Sequence, residues 1–130
     1  MRMAACLIDT VWPDHGALFR CEMQAYRSFG DVFDTYFAWA EVSGDVVGFS
    51  LLAASMMALD LDTLLWVAVH PAFRGQGIGK RVVGRCLQEA RRRGKPVALT
   101  TSVPVFYEKM GFGRRGSYDS AQEHFLMTTA

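Results

Sequence analysis

The stretch Trp66-Val67-Ala68-Val69-His70-Pro71-Ala72-Phe73-Arg74-Gly75-Gln76-Gly77-Ile78-Gly79-Lys80 constrains the fold of this chain more than any other. An apolar run halts at Pro71, and a glycine-dense basic loop then opens an amphipathic segment. Gly75, Gly77 and Gly79 tolerate positive φ without steric cost, so consecutive N–H groups can turn toward one point and form an anion-binding nest. The helix that follows adds its unpaired N-terminal donors and its dipole. Arg74, Lys80 and Arg81 place cations around the same spot, which suits a phosphate or pyrophosphate.

Spacing discriminates among the phosphate loops that share this vocabulary. A Walker A loop needs Gly five residues before its Gly-Lys pair and Ser or Thr after it, where this chain has Arg74 and Arg81. The dinucleotide fingerprint Gly-x-Gly-x-x-Gly fails in both registers, because Lys80 and Val82 stand where the third Gly belongs. What fits is Arg-x-x-Gly-x-Gly at Arg74, Gly77 and Gly79, after a strand ending Val67-Ala68-Val69. This resembles the acetyl-CoA loop of the GCN5-related N-acetyltransferase (GNAT) superfamily. A second segment, Val105-Phe106-Tyr107-Glu108-Lys109-Met110-Gly111-Phe112, resembles that superfamily's aromatic-Tyr-Glu-Lys-x-Gly-Phe helix. Between the two lie a helix over residues 78–93, a stop at Gly94 and a strand over 96–101, in the order that the resemblance implies.

The resemblance implies an α/β fold: a single acyl-CoA N-acyltransferase domain over residues 1–130, with a mixed, twisted β-sheet flanked by helices. It also implies acetyl-CoA as co-substrate, lying between the fourth and fifth strands of the family. Its pantetheine would pair with main-chain groups of Trp66, Val67, Ala68 and Val69, which a bulged strand leaves unpaired. Its pyrophosphate would meet the backbone of Arg74, Gly75, Gln76, Gly77, Ile78, Gly79 and Lys80. Arg74 would add a fork of donors there and Lys80 a point charge. Tyr107 matches the residue that protonates the leaving sulfur, and a phenol with a reference pKa of about 10 is a competent donor at neutral pH. The plainer reading of Tyr107 is a half-buried ring whose hydroxyl bonds to backbone. Phe106 and Phe112 read as packing residues.

The general base is less defined. Some relatives carry a carboxylate where this chain has Thr63, so Asp62, with Asp60 beside it, and Glu41 on the preceding hairpin are the candidates. A one-residue slip in register would turn Asp62 away from the site, and each carboxylate has a solvated-surface reading. His70 is near the loop but reads as a loop residue beside the cofactor. His15 and His124 lack partners at metal spacing, and no metal site is expected.

Elsewhere the pattern is coarser. Ala4-Cys6-Ile8 alternates as a short strand would, and a helix capped by Asp14 runs to about Ser28, with Leu18, Cys21, Met23, Ala25 and Tyr26 as its apolar face and Gly30 as its stop. Residues 36–42 and 46–54 flank Ser43-Gly44-Asp45 as a hairpin. Residues 61–69 read as a strand buried on both faces. Ile78, Val82, Val83, Cys86, Leu87 and Ala90 form one face of the helix after the loop. Arg91-Arg92-Arg93 suit a solvated helix C-terminus, and residues 114–118 and 124–128 read as a final hairpin.

A chain of 130 residues, 51% of them hydrophobic, supports one core and argues against disorder. Net charge of +1 gives no field for nucleic acid or an anionic membrane, and no apolar stretch is long enough to span a bilayer. Three unpaired cysteines and the lack of a leader-like N-terminus fit a reduced cytoplasmic setting. Only 35 residues precede Tyr36, so the family's first strand is expected to be minimal or absent, leaving an open acceptor cleft or an edge covered in a homodimer. Asp31, Asp34, Phe37, Trp39 and Glu41 are candidates for an aromatic, acidic acceptor pocket.

The expected function is transfer of an acetyl group from acetyl-CoA to a primary amine, on a small molecule or a peptide. The alternatives are an acyl-CoA-binding regulatory module without turnover, and a nucleic-acid binder using Arg91, Arg92 and Arg93 with Arg81 and Arg85.

Overall fold

In the computed structural model, residues 2–55, 60–119 and 123–130 are described. The chain opens with helix α1 (Arg2–Val11), a short 3-10 turn at Pro13–His15, α2 (Gly16–Ser28) and α3 (Gly30–Phe33). The hairpin β1 (Tyr36–Val42) and β2 (Asp45–Ala54) follows, then β3 (Asp62–Val69) and a 3-10 turn at Pro71–Phe73. The C-terminal half comprises α4 (Ile78–Arg93), β4 (Val97–Thr101), α5 (Pro104–Glu108), β5 (Gly113–Asp119) and β6 (Glu123–Thr128). Six strands form one mixed sheet in the order β1-β2-β3-β4-β6-β5.

Local chemistry accounts for the best-defined elements. Ser43 and Gly44 both take positive φ, at 52° and 85°, and pair Val42 with Asp45 across a two-residue turn. In α4 the six residues of the expected face are the buried ones, and Gly94 at φ 70° closes the helix. Gly48 lets the start of α4 approach β2, since a Cβ there would stand 2.3 Å from Ile78 Cγ2. Each fully buried aliphatic side chain on α4 contributes roughly 1.5–3 kcal/mol, so packing rather than propensity holds this helix.

Two hydrophobic clusters sandwich the sheet. Val82, Val83, Cys86 and Leu87 of α4 pack with Leu52, Leu64, Leu99 and Met127 on one face. Leu7, Ile8, Phe19 and Met23 of α1 and α2 pack with Phe49, Leu51 and Ala68 on the other. Helix α1 sits on β2 and β3, and among the described residues no helix packs closely on the same face of β4 and β6.

The N-terminus differs from the expected short strand: Ala4 and Ile8 belong to a helix, with Cys6 exposed. The determining spacing is Ala4, Leu7, Ile8 and Val11, a helical stripe that the alternation of three residues concealed. No strand precedes Tyr36 among the described residues. Asp14 makes no side-chain cap and lies in the 3-10 turn, and the buried face of α2 is Gly16, Phe19 and Met23, with Leu18 and Cys21 exposed. Gly30 opens α3 instead of stopping a helix, and Asp34 at φ 45° ends it. Strand β3 is buried at Asp62, Leu64 and Ala68 only, because its other residues border open clefts.

The turn of the last hairpin, residues 120–122, lies outside the described residues, while its strands extend one residue beyond each expected start. The Arg91-Arg92-Arg93 run is not a uniformly solvated helix end. Arg92 pairs with Glu89, whereas the Arg93 side chain is only 7% exposed and meets Asp34 at 3.4 Å and Asp62 at 3.5 Å.

Candidate active site

The site grows from an irregularity in β3. One extra residue is accommodated against β2 between the pairs Leu51–Leu65 and Phe49–Ala68, and Trp66 takes φ 53°. Left-handed backbone at a tryptophan costs on the order of 1–3 kcal/mol and persists only where surroundings enforce it. Here the indole Nε1 of Trp66 donates to Glu22 Oε2 at 2.6 Å, and its ring packs edge-on against Phe19 (5.2 Å) and Trp12 (5.8 Å). Tyr26 donates to the same Glu22 oxygen at 3.5 Å. On its other side β3 pairs with β4 only at Asp62–Val97 and Thr63–Ala98. Beyond Thr63 the two parallel strands separate, and their main-chain groups face a gap.

At the end of that gap lies the glycine loop. Gly75 and Gly77 have φ 81° and 78°, and Gly77 caps α4 in the left-handed conformation. Among the described residues none of the N–H groups of residues 75–80 donates a hydrogen bond, and the first intrahelical donation is from Arg81 N–H to Gly77 O. A Cβ on Gly75 or Gly77 would meet nothing within 4 Å, so the positive φ rather than crowding is what calls for glycine there. His70 Nδ1 accepts from Ala72 N–H at 3.1 Å, and Arg74 Nε donates to Val69 O at 3.3 Å, which together fix the entry to the loop.

A cleft of about 620 Å³ joins the strand, the loop and α5. Val67, Ala68 and Val69 form one wall, and Arg74, Gly75, Gly77, Ile78, Gly79 and Lys80 form the floor. Phe106 and Tyr107 close it, with Val11 and Trp12 from the N-terminal helices. Gln76 is exposed and outside it, and Trp66 lines the adjoining cleft instead.

Tyr107 is 7% exposed, and its ring meets Phe106 and Phe112 edge-on at 4.8 and 5.7 Å. Its hydroxyl has no hydrogen-bond partner among the described residues. Burial pushes its pKa up to about 12, so the phenol keeps its proton at neutral pH. Tyr107 also lines a second cleft with Trp66, Leu99 and Thr100, which shares Trp12 and Trp66 with a third of about 780 Å³. The loop, Tyr107 and the open face of β4 and β6 thus border one continuous depression.

The two candidate bases stand apart from it. Asp62 is fully buried beside Arg93, with Oδ2 3.5 Å from the guanidinium and Oδ1 without a partner. It shares the α4 face of β3 with Leu64, because the side chains alternate from Asp62 to Leu64 before the bulge resets the register. Glu41 is exposed on edge strand β1, where it accepts from Trp39 Nε1 at 3.1 Å. The expected acidic acceptor pocket is not assembled either: Asp34 pairs with Arg93, Phe37 packs on Phe49 and Trp39 is exposed. Sequence reasoning missed Trp12, His15 and His124, which line the depression from remote segments, and Glu22, which holds Trp66 from behind; none carries a local signature.

Comparisons with known proteins agree with this geometry. A family model described as an acetyltransferase (GNAT) domain matches residues 34–114. No curated protein sequence matches the chain at a significant level. Among solved structures, a putative GNAT acetyltransferase from Desulfovibrio desulfuricans superposes with TM-score 0.80 at 14% identity, covering 97% of this chain and 88% of that one. An aminoglycoside 6'-N-acetyltransferase complexed with coenzyme A gives 0.78 at 19% identity, covering 98% and 88%. The PaiA N-acetyltransferase from Thermoplasma acidophilum, also with coenzyme A, gives 0.75 at 17%, covering 98% and 90%. With the family model covering most of the chain and the splayed strands, glycine loop and tyrosine helix in one cleft, this protein belongs to the GNAT acetyltransferase family.

Proposed function

We propose that this protein moves the acetyl group of acetyl-CoA to a primary amine by direct attack. The observation that carries the reading is the 620 Å³ cleft, which joins the unpartnered N–H groups of residues 75–80 to the unpartnered Tyr107 hydroxyl along a bulged, splayed strand. Such a cleft fits an elongated ligand with a pyrophosphate at one end and a reacting sulfur at the other. Acetyl-CoA supplies the activated thioester.

The chain's own residues divide the work. The loop N–H groups, Lys80 and Arg74 hold the phosphates. Main-chain groups at Val67–Val69 hold the pantetheine amides where β4 has moved away. The amine nitrogen forms the new bond to carbon while the carbon–sulfur bond breaks, and Tyr107 donates its proton to the departing sulfur. The amine gives up its own proton into the open depression, whose wall includes the imidazoles of His15 and His124. No cysteine is needed as a nucleophile: Cys86 is buried, which pushes its thiol up to about 11, and Cys6 and Cys21 line neither the loop cleft nor the Tyr107 clefts.

Calorimetric titration with acetyl-CoA, beside ATP and NAD, tests the cradle, and release of free coenzyme A on adding amines tests turnover. Micromolar binding of acetyl-CoA alone, followed by amine-dependent release, is the expected result. Binding without release from any amine would leave a regulatory acyl-CoA binder, and equal binding of all three ligands would remove the assignment of the loop.

A further inference from the structure

We infer that the acceptor is a primary monoamine with an aromatic or branched aliphatic body, seated in the 780 Å³ cleft over the open face of β4 and β6. This rests on the acetyltransferase reading and adds the chemistry of its second substrate. The cleft is of a size that encloses a small molecule. Its walls are largely apolar: Trp12, Leu65, Trp66 and Leu126 line it from three segments of the chain. The two indoles meet edge-on at 5.8 Å, an arrangement that extends readily to a third ring. Polar groups are few, namely the hydroxyls of Ser55, Thr63 and Thr100 and the imidazoles of His15 and His124.

No carboxylate lines this cleft among the described residues. Asp62 faces α4, Asp34 is drawn to Arg93, and Glu41 is bonded to Trp39 on the far edge of the sheet. Glu22 is engaged by Trp66 and Tyr26. Asp14, Asp60 and Glu123, each adjacent in sequence to a wall residue, are exposed and form no part of its lining. A polyamine or aminosugar would therefore set its remaining ammonium groups over leucine side chains without counter-charge, which is unfavourable. A monoamine brings one nitrogen, consumed by the reaction, and an apolar body that gains from burial.

The test compares amine-dependent release of coenzyme A with 2-phenylethylamine and tryptamine against spermidine and kanamycin, with acetyl-CoA calorimetry run on the same sample. The expected kcat/KM for the aromatic amines is at least about tenfold higher, as one apolar pocket can discriminate. In Leu126→Glu, at a position 42% exposed and so tolerant of a charge, the preference should shrink by about tenfold or invert while acetyl-CoA affinity stays unchanged. Equal or better use of the polycations, no turnover of the aromatic amines despite acetyl-CoA binding, or an unaltered preference in the folded variant would each overturn the inference. Loss of acetyl-CoA binding by the parent protein would instead overturn the acetyltransferase reading beneath it.

Discussion

Tyr107 combines a buried ring, an unpartnered hydroxyl and a place on the wall of the loop cleft. Tyr107→Phe keeps the ring packing and removes only the donor, so kcat is expected to fall by roughly 10² to 10⁴ with acetyl-CoA affinity unchanged. An unaltered turnover rate would remove the tyrosine from the acid role. Because burial holds the phenol at about 12, above its ordinary value, the donor persists through alkaline conditions. The stability gained from the neutral ring is complete below about pH 10 and is lost as pH rises toward the folded-state value. Equilibrium unfolding across that window should show a steeper loss in the parent than in Tyr107→Phe, the variant keeping only the dependence from the buried Tyr26 and Cys86, which are raised in the same direction. Asp62 makes the opposite case: a carboxylate beside the site in sequence but buried against Arg93. Asp62→Asn should cost on the order of 1–3 kcal/mol in urea unfolding, by taking one of three carboxylates from the buried Arg93, while the pH profile of kcat/KM keeps its shape. Loss or displacement of the acidic limb of that profile would restore Asp62 as the base.

At the scale of elements, the loop and α4 work as one unit whose geometry is set by backbone. Gly77 sits at φ 78° with open space where a Cβ would be. Gly77→Val forces a branched side chain into left-handed backbone, at about 1–2 kcal/mol, and puts its methyl groups into the cradle. Acetyl-CoA binding is expected to disappear by calorimetry while the melting temperature falls only a few degrees; retained affinity would show that the phosphates lie elsewhere. The loop and α4 were legible in the sequence because a helical stripe, a glycine stop and a glycine-rich entry are local signals. The N-terminal helix was not, because Ala4, Cys6 and Ile8 satisfy a strand pattern over five residues, and only the wider spacing through Leu7 and Val11 reveals the helix.

Across the whole molecule, two half-sheets meet at a seam of two residue pairs between β3 and β4. Each half has its own antiparallel pairing, β1-β2-β3 on one side and β4-β6-β5 on the other. A ligand in the seam would bridge them and stabilise the native state by about 2.7 kcal/mol at a hundredfold excess over its Kd. Hydrogen exchange is expected to show the amides of Val67–Val69 and of β4 beyond Ala98 gaining protection on addition of acetyl-CoA, with the β1–β2 hairpin unchanged. No gain in protection at Val67–Val69 or in β4 at saturating acetyl-CoA would show that the ligand does not seat in the seam.

The sequence by itself determined the family, the glycine-rich turn before α4 and the order of the elements from Tyr36 onward, since each rests on residues adjacent along the chain. Tertiary structure alone decided which carboxylates stay out of the site, which segments wall the depression and how Trp66 is held. Those outcomes turn on a one-residue bulge, which resets every later side chain between faces, and on contacts such as Trp66 with Glu22, which lie 44 positions apart.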